Sequence, residues 1–492
     1  MATIAALKHS TAISALDGYY PGDFFCELLG ADKQPGRLVA PLWHALETSE
    51  LAGLKQRAAD AERELFNLGI TFTVYTDKDA IDRILPFDVI PRVLSAQSWA
   101  RIEAGVKQRV KALNLFLHDV YHDRRILKDG VVPAELVLAN TCYRPEMVGL
   151  DLPCGTYIHI NGTDIVRDRQ GEFLVLEDNG RSPSGVSYVI ENRHLMQRAF
   201  PDLMQGLKVR PVSDYGKRLL GKLREVAPAG VDNPNVVLLS PGIYNSAYFE
   251  HVFLAREMGV ALVEGRDLRV ENDRVYAHTI DGLEPVHVIY RRINDDFLDP
   301  QAFNRKSMLG VPGLLKAARK GTVTLANAIG TGVADDKAVY AYVPRIIRYY
   351  LSEDPILANV ETHICREPEG LAYTLANLDR LVVKPVGESG GYGIVIGPKA
   401  SKAELEEVAA KLKADPANFI SQTMVDLSVA PTLVDGGARP RHVDLRPYAI
   451  TGKDTWVLPG GLTRVALREG SLIVNSSQGG GTKDTWVLAD ES

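Results

Sequence analysis

Apolar residues recur every three or four positions after Pro91, which is the spacing of one buried face of an α-helix. The repeating positions are Trp99, Ile102, Val106, Val110, Leu113, Leu117 and Val120. Lys107, Arg109 and Lys111 stand between them and are predicted to face water. Residues 1–130 are therefore predicted to form a mainly helical N-terminal region.

Short β-type segments follow residue 155, where YIHI, DIV and FLVL surround a cluster of turn residues. They indicate a β-hairpin within a second region, residues 131–204. Residues 205–345 then alternate between strand and helix patterns. A strand at 236–239 leads to a helix at about 246–258 and to further strands, which is typical of an α/β domain.

The last region, residues 346–492, contains a strand at 381–386 that leads into a glycine-rich loop. Ser401 and Glu404 form a capping-box pattern that predicts the start of a helix, and the remainder is β-rich. The patterns together predict an α/β (α+β) fold class.

The net charge and the cysteine spacing argue against several classes of function. The 492 residues include 56 Lys and Arg against 62 Asp and Glu, a net charge of −6, which gives no support to nucleic-acid or acidic-membrane binding. The four cysteines are scattered without metal-type spacing, which favours a reducing compartment. Since no apolar run has the length of a signal peptide or a membrane span, we expect a cytoplasmic protein.

Three polar residues near the predicted hairpin could bind a metal ion. Glu177 and Asn179 are two positions apart and share a face of an extended strand. A four-residue hairpin loop at 168–171 would place Asp164 opposite Val175 and on that same face. Two carboxylates and an amide are ligands that suit one or two Mg²⁺ ions, although a one-residue slip would separate them. The alternative is that these residues are ordinary polar side chains on the surface beside a turn.

A lysine and a run of glycines could hold phosphates. Lys384 lies inside an apolar strand pattern, where an unpartnered charge is costly. Gly387, Gly390, Gly391 and Gly393 follow and allow backbone amides to close over an anion. A lysine at a strand edge beside a flexible turn is the alternative. The chain has no GxxxxGK[ST], so this segment is not a P-loop.

Ser389 stands in a G-x-S-x-G pattern within the same loop. The nucleophile elbow of an α/β-hydrolase requires a helix directly after this serine. The residues that follow, GYGIVIG, instead predict a loop and a strand, which argues against a hydrolase.

Further polar candidates lie near the C-terminus. Asp444 and Arg446 share a strand face, and Arg464 and Lys483 could meet anionic oxygens. Asn475 is a candidate second metal or phosphate contact. Each of these residues taken alone could equally be structural.

The loop NAIGTGVADDK contains Asn327 and Lys337 and follows an apolar strand pattern. It nearly matches the dinucleotide-binding fingerprint, but Asp335 stands where the third glycine belongs. The loop therefore supports NAD binding only weakly, and its two polar end residues remain candidate nucleotide contacts.

Five longer segments together resemble the circularly permuted type 2 ATP-grasp proteins, whose relatives include the glutathionylspermidine synthetases. The segments are QRVKALNLFLHDVY, VLEDNGRSPSGVSYVIENR, NAIGTGVADDKAVYAYVP, VVKPVGESGGYG and LTRVALREGSLIVNSSQGGGTKDTWVL. The resemblance covers residues 85–492. It implies a circularly permuted ATP-grasp fold, with residues 205–345 as a pre-ATP-grasp-like substrate domain. It also explains why the acidic motif precedes Lys384.

The resemblance also implies roles for individual residues. Asp164, Glu177 and Asn179 correspond to Mg²⁺ ligands, Lys384 and the loop 387–393 to the grip on the ATP phosphates, and Gln422 to a residue bordering the adenine pocket.

Two departures from the synthetases limit what the resemblance implies about substrates. The synthetases carry an arginine two residues before the first metal aspartate, where this chain has Gly162, and Arg181 is the candidate replacement. A Cys/His amidase module ahead of the ligase part is also missing. Glutathione and spermidine are therefore not carried over as substrates.

The implied activity is that of an ADP-forming ligase. It would activate a small-molecule or peptide carboxylate with MgATP as an acyl phosphate and transfer it to an amine, with an arginine such as Arg446 or Arg464 steadying the oxyanion. The alternative is a nucleotide-binding partner protein of the same fold without ligation, because fold does not determine function. The resemblance further implies an all-helical protein and a transglutaminase-like protein as pathway partners.

Overall fold

The computed structural model describes residues 13–75, 80–386, 393–471, 474 and 479–489. The helices are α1 (Ala40–Thr48), α2 (Leu51–Asn67), α3 (Ala96–Tyr121), α4 (Arg125–Lys128), α5 (Ala134–Leu138), α6 (Val186–Ala199), α7 (Pro201–Met204), α8 (Tyr215–Glu225), α9 (Tyr248–Met258), α10 (Asp295–Leu298), α11 (Leu314–Arg319), α12 (Lys337–Leu351), α13 (Pro368–Ala376) and α14 (Lys402–Ala414).

The strands are β1 (Thr71–Tyr75), β2 (Ala80–Ile84), β3 (Phe87–Leu94), β4 (Ile160–Arg167), β5 (Phe173–Asn179), β6 (Val236–Leu239), β7 (Ala261–Val263), β8 (Leu268–Glu271), β9 (Arg274–Thr279), β10 (Gly282–Val286), β11 (Val288–Arg291), β12 (Thr324–Ala326), β13 (Ala358–Asn359), β14 (Thr362–Ile364), β15 (Leu381–Pro385), β16 (Val395–Ile396), β17 (Phe419–Thr423), β18 (Val429–Val434), β19 (Gly437–Arg446), β20 (Tyr448–Thr451), β21 (Thr455–Val457), β22 (Leu462–Val465) and β23 (Gly481–Val487). None of the helices in the described ranges has the length and hydrophobicity needed to cross a membrane.

A ten-stranded sheet forms the centre of the molecule. Its main path runs β13-β5-β4-β19-β22-β23-β3, with β18, β20 and β21 paired alongside. It therefore brings the hairpin β4–β5 next to C-terminal strands that follow it by about three hundred residues. The end strand β3 comes from the N-terminal region, so that region contains strands that the helical prediction omitted.

The long helix α3 confirms the apolar periodicity, since Trp99 and Val120 at its two ends are both fully buried. The Ser95 hydroxyl accepts a hydrogen bond from the Ser98 amide at 3.1 Å and caps its first turn. The prediction that Arg109 faces water is wrong. Its guanidinium is buried and donates to the Asp178 carboxylate of β5 at 2.5 Å, because that strand presents a buried anion to the helix.

Four parallel strands in the order β12-β11-β6-β7 form a separate sheet, flanked by α8 and α9. The predicted strand at 236–239 is β6, and the helix after it is α9. The chain leaving β12 turns back towards the β4–β5 hairpin, where Asp335 accepts a hydrogen bond from the Gly180 amide at 2.5 Å. This sheet therefore presents its carboxyl edge to the end of β5.

A small unit, residues 362–423, is built on the antiparallel sheet β14-β17-β15-β16 with α13 and α14. Its own apolar core consists of Cys365, Leu378, Val383, Val408 and Leu412, with partly buried neighbours. The Ser401–Glu404 capping box is confirmed at the start of α14. Two connections, at 360–362 and 423–429, join the unit to the ten-stranded sheet.

The predicted register of the β4–β5 hairpin is wrong by one residue, but a β-bulge returns Asp164 and Glu177 to the same face of the sheet. Ile165 pairs with Val175, because Asp168 and Glu172 close a five-residue loop in which the Asp168 carboxylate accepts from the Glu172 amide at 2.8 Å. The register then shifts at Leu176, so that Asp164 stands directly opposite Glu177. The two carboxylates therefore share one face, as the metal hypothesis requires.

Candidate functional site

Two arginines from the C-terminal strands converge on Asp164. Leu445 pairs with Ile165, which places Arg446 beside Asp164 on the adjacent strand. The Arg446 guanidinium grips the Asp164 carboxylate with both Nε and Nη2, the latter at 2.8 Å, and Arg464 Nη2 donates to the same carboxylate at 2.7 Å. Arg464 Nε also donates to both oxygens of Asp444 at 3.0 Å. The face thus carries a buried network of two guanidinium groups and two carboxylates.

The electrostatics of this network favour an ionised Asp164. Burial alone would raise the pKa of this carboxyl, but the charges of Arg446 and Arg464 outweigh it and hold the pKa well below its ordinary range. Burial would lower the pKa of Arg446, but the Asp164 charge outweighs it and raises that pKa. Both groups are therefore charged throughout the neutral range.

Gly162 allows the Arg446 side chain to cross β4. A Cβ added to Gly162 would lie 3.1 Å from the Cδ of Arg446 and 3.2 Å from the Cβ of Pro183. The position that holds an arginine in the synthetases is thus covered by an arginine from β19. Arg181, the predicted replacement, instead lies beyond β5, where its Nη1 is 3.9 Å from the Cys142 sulphur.

Lys384 approaches this face from the small unit. Its ammonium donates to the Gln422 amide oxygen at 2.5 Å, and Gln422 Nε2 in turn donates to the Thr362 hydroxyl at 3.0 Å. Burial lowers the pKa of Lys384, the charges of Glu177 and Asp164 raise it, and that of Lys337 lowers it. The lysine of the glycine-loop segment therefore shares one electrostatic environment with the carboxylates that precede it by about two hundred residues.

The start of α12 adds a second lysine. Asp336 caps this helix by accepting from the Ala338 and Val339 amides, at 2.8 and 3.2 Å. Lys337 follows at the first helical position, and its ammonium lies 4.0 Å from the Glu177 carboxylate. Two lysines from separate segments therefore flank the exposed side of Glu177.

Asp335, just before this helix, has the most strongly altered carboxyl in the loop. Burial raises its pKa to about 7, against the opposing charge of Arg181 and the hydrogen bond from the Gly180 amide. Glu177 and Asp178 also raise it through charge repulsion. A carboxyl that titrates near neutrality beside a charged cleft is a frequent property of functional sites.

Apolar side chains continue the same face beyond Asp164. We name them the apolar shelf, consisting of Val166, Leu174, Val360, Val425 and Leu427. Val166 lies two residues from Asp164 on β4, and the others come from β5 and from the two connections to the small unit. Val166 and Val360 are buried, whereas Leu174 and Val425 are partly exposed, so a small apolar cluster with a partly exposed edge adjoins the charges at the junction between the two sheets.

The structure does not bring Lys483 to the site, so this prediction is wrong. Arg464 pairs with Thr482, which puts Lys483 on the opposite face of β23. There its ammonium is fully buried and donates to Asp88 at 2.7 Å and to the Pro431 carbonyl at 2.8 Å. Its donors hold neighbouring strands together and are directed away from the cleft.

Asn327 is also a structural residue and not a nucleotide contact. Its side-chain oxygen accepts from the His159 and Ile160 amides, both at 2.7 Å. Its side-chain nitrogen donates to the Ile160 and Gly180 carbonyls, at 2.7 and 2.8 Å. Since the amide group is saturated by main-chain partners, it joins the loop after β12 to the ends of the β4–β5 hairpin.

Part of the predicted phosphate loop lies outside the described residues, namely Gly387, Ser389, Gly390 and Gly391, as does Asn475. Gly393 is described and has φ +70°, a conformation that favours glycine. Residues 395–396 then form β16, which agrees with the predicted strand after the loop.

The donor set agrees with the chemistry of Mg²⁺, which prefers oxygen ligands and retains water. Asn179 Nδ2 donates to the Gly162 carbonyl at 3.2 Å, so the amide nitrogen is used by the strand partner and its oxygen is the atom left for a ligand. Glu177 is partly exposed beside it, whereas Asp164 would have to share its carboxylate with the arginines. Among the described residues, no three His, Cys, Asp or Glu side chains converge closely enough to hold a metal by themselves.

Three features of the site escaped the sequence analysis. The Arg109–Asp178 ion pair anchors β5 from behind, and Asp335 binds the end of that strand. The apolar shelf was also missed, because its members are spread over 261 positions, from 166 to 427. The alternation of Val166 with Asp164 was the one local signal, since the two must share a strand face.

Comparison with known proteins gives a consistent result. The family described as circularly permuted ATP-grasp type 2 matches residues 91–466. A Synechocystis protein of uncharacterized function is 51% identical over 476 residues, which cover 96% of this chain and 98% of that protein. A Mycobacterium tuberculosis protein, also uncharacterized, is 53% identical over 449 residues, or 91% of this chain and 81% of that protein.

A Frankia casuarinae protein named as a putative glutamate–cysteine ligase is 42% identical over 502 residues. The alignment covers 98% of this chain but only 57% of that protein. The solved structure of a glutathione synthetase-like effector from Globodera pallida matches with a TM-score of 0.58 at 10% identity, over 89% of this chain and 98% of that one. At that identity the likeness concerns the fold alone.

These matches confirm the predicted ATP-grasp fold, its circular permutation and its ligase class. The acidic hairpin precedes the lysine strand in the chain while the two meet in space, as the permutation requires. The chain belongs to the circularly permuted type 2 ATP-grasp family.

Proposed function

We propose that this protein is an ADP-forming carboxylate–amine ligase that uses MgATP and passes through an acyl phosphate. The observation that carries the proposal is the meeting of Lys384 with Glu177, Lys337 and Asp164 across the junction between the small unit and the ten-stranded sheet. Cations that would receive phosphates and carboxylates that would receive Mg²⁺ thus share one charged region, which adjoins a buried pair of arginines.

The nucleotide would lie along this cleft. We assign its base to the partly exposed edge of the apolar shelf, because a planar ring system suits the Leu174 and Val425 side chains there. Gln422 would border the base, and because it accepts a hydrogen bond from Lys384, this pair would mark the boundary between the base and the phosphates. Lys384 and Lys337 would take the phosphates, and the family resemblance assigns the loop 387–393 to the same role. This order places the γ-phosphate near Glu177 and the arginines.

Glu177 and Asn179, with Asp164 as a shared third ligand, are the residues that would hold Mg²⁺. The ion would supply charge neutralisation on the phosphate oxygens. Lys384 and Lys337 contribute further positive charge on the same side, which stabilises a phosphoryl group as negative charge spreads over its oxygens.

The reaction would proceed in two displacements. A carboxylate oxygen attacks the γ-phosphorus, the bond to the bridging oxygen of ADP breaks, and an acyl phosphate forms. An amine then attacks the acyl carbon, inorganic phosphate leaves, and the amine gives up a proton. Arg446 and Arg464, which both donate to Asp164, would stabilise the oxyanion of the second step, and the small unit would exclude water over the first product.

The ligase-named Frankia relative and the ligase class of the family support this chemistry, but the chain spans only 57% of that relative. We therefore propose a small-molecule or peptide carboxylate and an amine as the substrates. Cytoplasmic location, and an all-helical and a transglutaminase-like protein as pathway partners, belong to the same proposal. The competing function is nucleotide binding without ligation.

Transfer of ¹⁸O tests the acyl phosphate directly. A carboxylate substrate labelled with ¹⁸O is expected to deliver one labelled oxygen to inorganic phosphate in each turnover, measured by mass spectrometry. Label in AMP would indicate an adenylate and contradict the proposal. If a broad screen of carboxylate and amine pairs gave no stimulated phosphate release, the binding-only alternative would be favoured.

Lys384→Met is expected to weaken MgATP binding by about tenfold to a hundredfold, since a charge-assisted hydrogen bond contributes roughly 1.5–3 kcal/mol. Isothermal titration calorimetry measures this affinity. The control is Lys402→Met, which removes an exposed lysine of the same unit and should leave the affinity unchanged. Equal affinities for the two variants would remove Lys384 from the nucleotide site.

A further inference from the structure

Arg181 is a partly buried guanidinium placed directly beyond the candidate metal residues. Its Nη1 is 3.9 Å from the sulphur of Cys142, and a thiol is a weak hydrogen-bond acceptor. Within the described part of the chain, no carboxylate accepts a hydrogen bond from this guanidinium. A cation withdrawn from water with so weak a partner favours an anionic ligand.

The Asp335 carboxyl group lies beside it, close enough for the two charges to interact when the carboxyl is ionised. Its carboxylate accepts hydrogen bonds from the main-chain amides of Gly180 and Arg181, at 2.5 and 3.3 Å. These bonds hold the carboxylate against the backbone of Arg181. Its fixed position next to Arg181 is what matters for recognition.

Gly332 allows its loop to pack directly against Cys142 and Arg181. Gly332 and Asp335 are three residues apart in the 3-10 helix Thr331–Asp335, where positions i and i+3 eclipse and share a face. A Cβ on Gly332 would lie 2.8 Å from the Cβ of Cys142 and 3.4 Å from the Cδ of Arg181. Cys142, Arg181, Gly332 and Asp335 therefore form one surface, which we name the Arg181 patch.

The position of the patch in the fold also suits a ligand. Asp335 lies beyond the carboxyl end of β12, and Asp295 lies beyond the carboxyl end of the neighbouring β11. Ligands of parallel α/β sheets bind outside these ends. Arg181 follows Asn179 by two residues. The patch thus joins the sheet's ligand edge to the candidate metal site.

We propose that the Arg181 patch binds the amine substrate as a free α-amino acid, with Arg181 receiving its carboxylate and Asp335 its ammonium group. Opposite charges held side by side match the two charged groups on one α-carbon. The assignment rests on the proposed ligase function, because it identifies the class of the second substrate. It places the α-amino group as the nucleophile on the side of the cleft nearest Asn179.

Protection of Cys142 from alkylation tests the binding without needing turnover. Iodoacetamide labels the full-length protein, and mass spectrometry follows the rates at half-buried Cys142 and at exposed Cys154, the internal reference. At least one proteinogenic amino acid is expected to slow labelling of Cys142 about tenfold relative to Cys154. Its amide and its N-acetyl derivative should protect much less. Equal protection by the derivatives, or none by any amino acid, overturns the proposal.

Variants of Arg181 complete the test. Arg181→Gln should abolish the protection, Arg181→Lys should retain part of it, and the exposed control Arg305→Gln should retain all of it. Unfolding temperatures report whether each variant is folded. Protection that persists when no pair transfers ¹⁸O to phosphate would count against the ligase alone. Transfer of ¹⁸O to phosphate that occurs only with amines lacking a carboxylate group would count against the Arg181 patch alone.

Discussion

Asp164→Asn is expected to lower the free energy of unfolding by about 3–5 kcal/mol, because it removes the charge partner of two buried guanidinium groups. Arg464 retains Asp444 in the variant, whereas Arg446 loses its carboxylate at the centre of the network. Urea unfolding followed by circular dichroism measures the loss. Magnesium-dependent ADP release should fall with it, because the same carboxylate is a proposed metal ligand.

Glu177→Gln is the matched control, since it alters the neighbouring carboxylate without breaking the buried network. The Glu177 side chain is 31% exposed, and its nearest cations, Arg446 and Lys337, are 3.9 and 4.0 Å away. We expect its ADP release to fall by about a hundredfold or more while its unfolding midpoint stays near that of the unsubstituted protein. An Asp164→Asn protein as stable as Glu177→Gln would contradict the assigned ion pairs.

The difference in unfolding free energy between wild type and Asp164→Asn should also depend on pH, and it should decrease in acid. The arginines hold the pKa of Asp164 below its ordinary value of 3.8, so the folded state binds fewer protons at this carboxyl than the unfolded state in acid. The stabilisation by Asp164 is therefore fully present above its ordinary pKa and decreases as the pH falls towards the folded pKa. In chelator-treated protein, the gap between wild type and Asp164→Asn should narrow below about pH 4.

Local sequence patterns predicted elements whose signal repeats over many residues. The apolar face of α3 spans about six turns, from Trp99 to Val120. The strand at Val236–Leu239 is a continuous apolar run, so both elements were found. The β4–β5 register depended on one loop closure by Asp168 and on one bulge at Leu176. Alternation of residue types does not encode a bulge, which is why the register was missed although the shared face of Asp164 and Glu177 was not.

Pairing between strands that are far apart in the chain determines which charged side chains lie at the candidate site. Arg464 and Lys483 both lie in short β patterns near the C-terminus, and nothing local separates them. Pairing of β22 with β23 turns the first towards Asp164 and the second towards Asp88, which is 395 positions away in the chain. Arg109 was misassigned for the same reason, because its partner Asp178 comes from another region.

Arg446→Lys is expected to lower kcat by about a hundredfold to a thousandfold with little change in MgATP affinity, the range observed when one oxyanion donor is removed. Lysine keeps a positive charge near Asp164 but loses the planar fork that holds the carboxylate through Nε and Nη2. The donors aimed at the developing oxyanion would then be displaced, whereas the phosphate contacts of Lys384 remain. Steady-state ADP release gives kcat, and calorimetry gives the nucleotide affinity.

The control for this variant is Arg193→Lys, which disturbs a comparable buried ion pair away from the cleft. Arg193 Nε donates to the Asp484 carboxylate at 2.7 Å, and both side chains are buried. The substitution should lower the unfolding midpoint while leaving kcat near its original value, because the hydrogen bonds of this pair go to Arg210, Thr485 and Trp486 and not to the site residues. If Arg193→Lys and Arg446→Lys lost kcat equally, the loss would reflect general destabilisation. A selective loss in Arg446→Lys would instead mean that geometry at Asp164 matters for turnover, since charge is conserved in both variants.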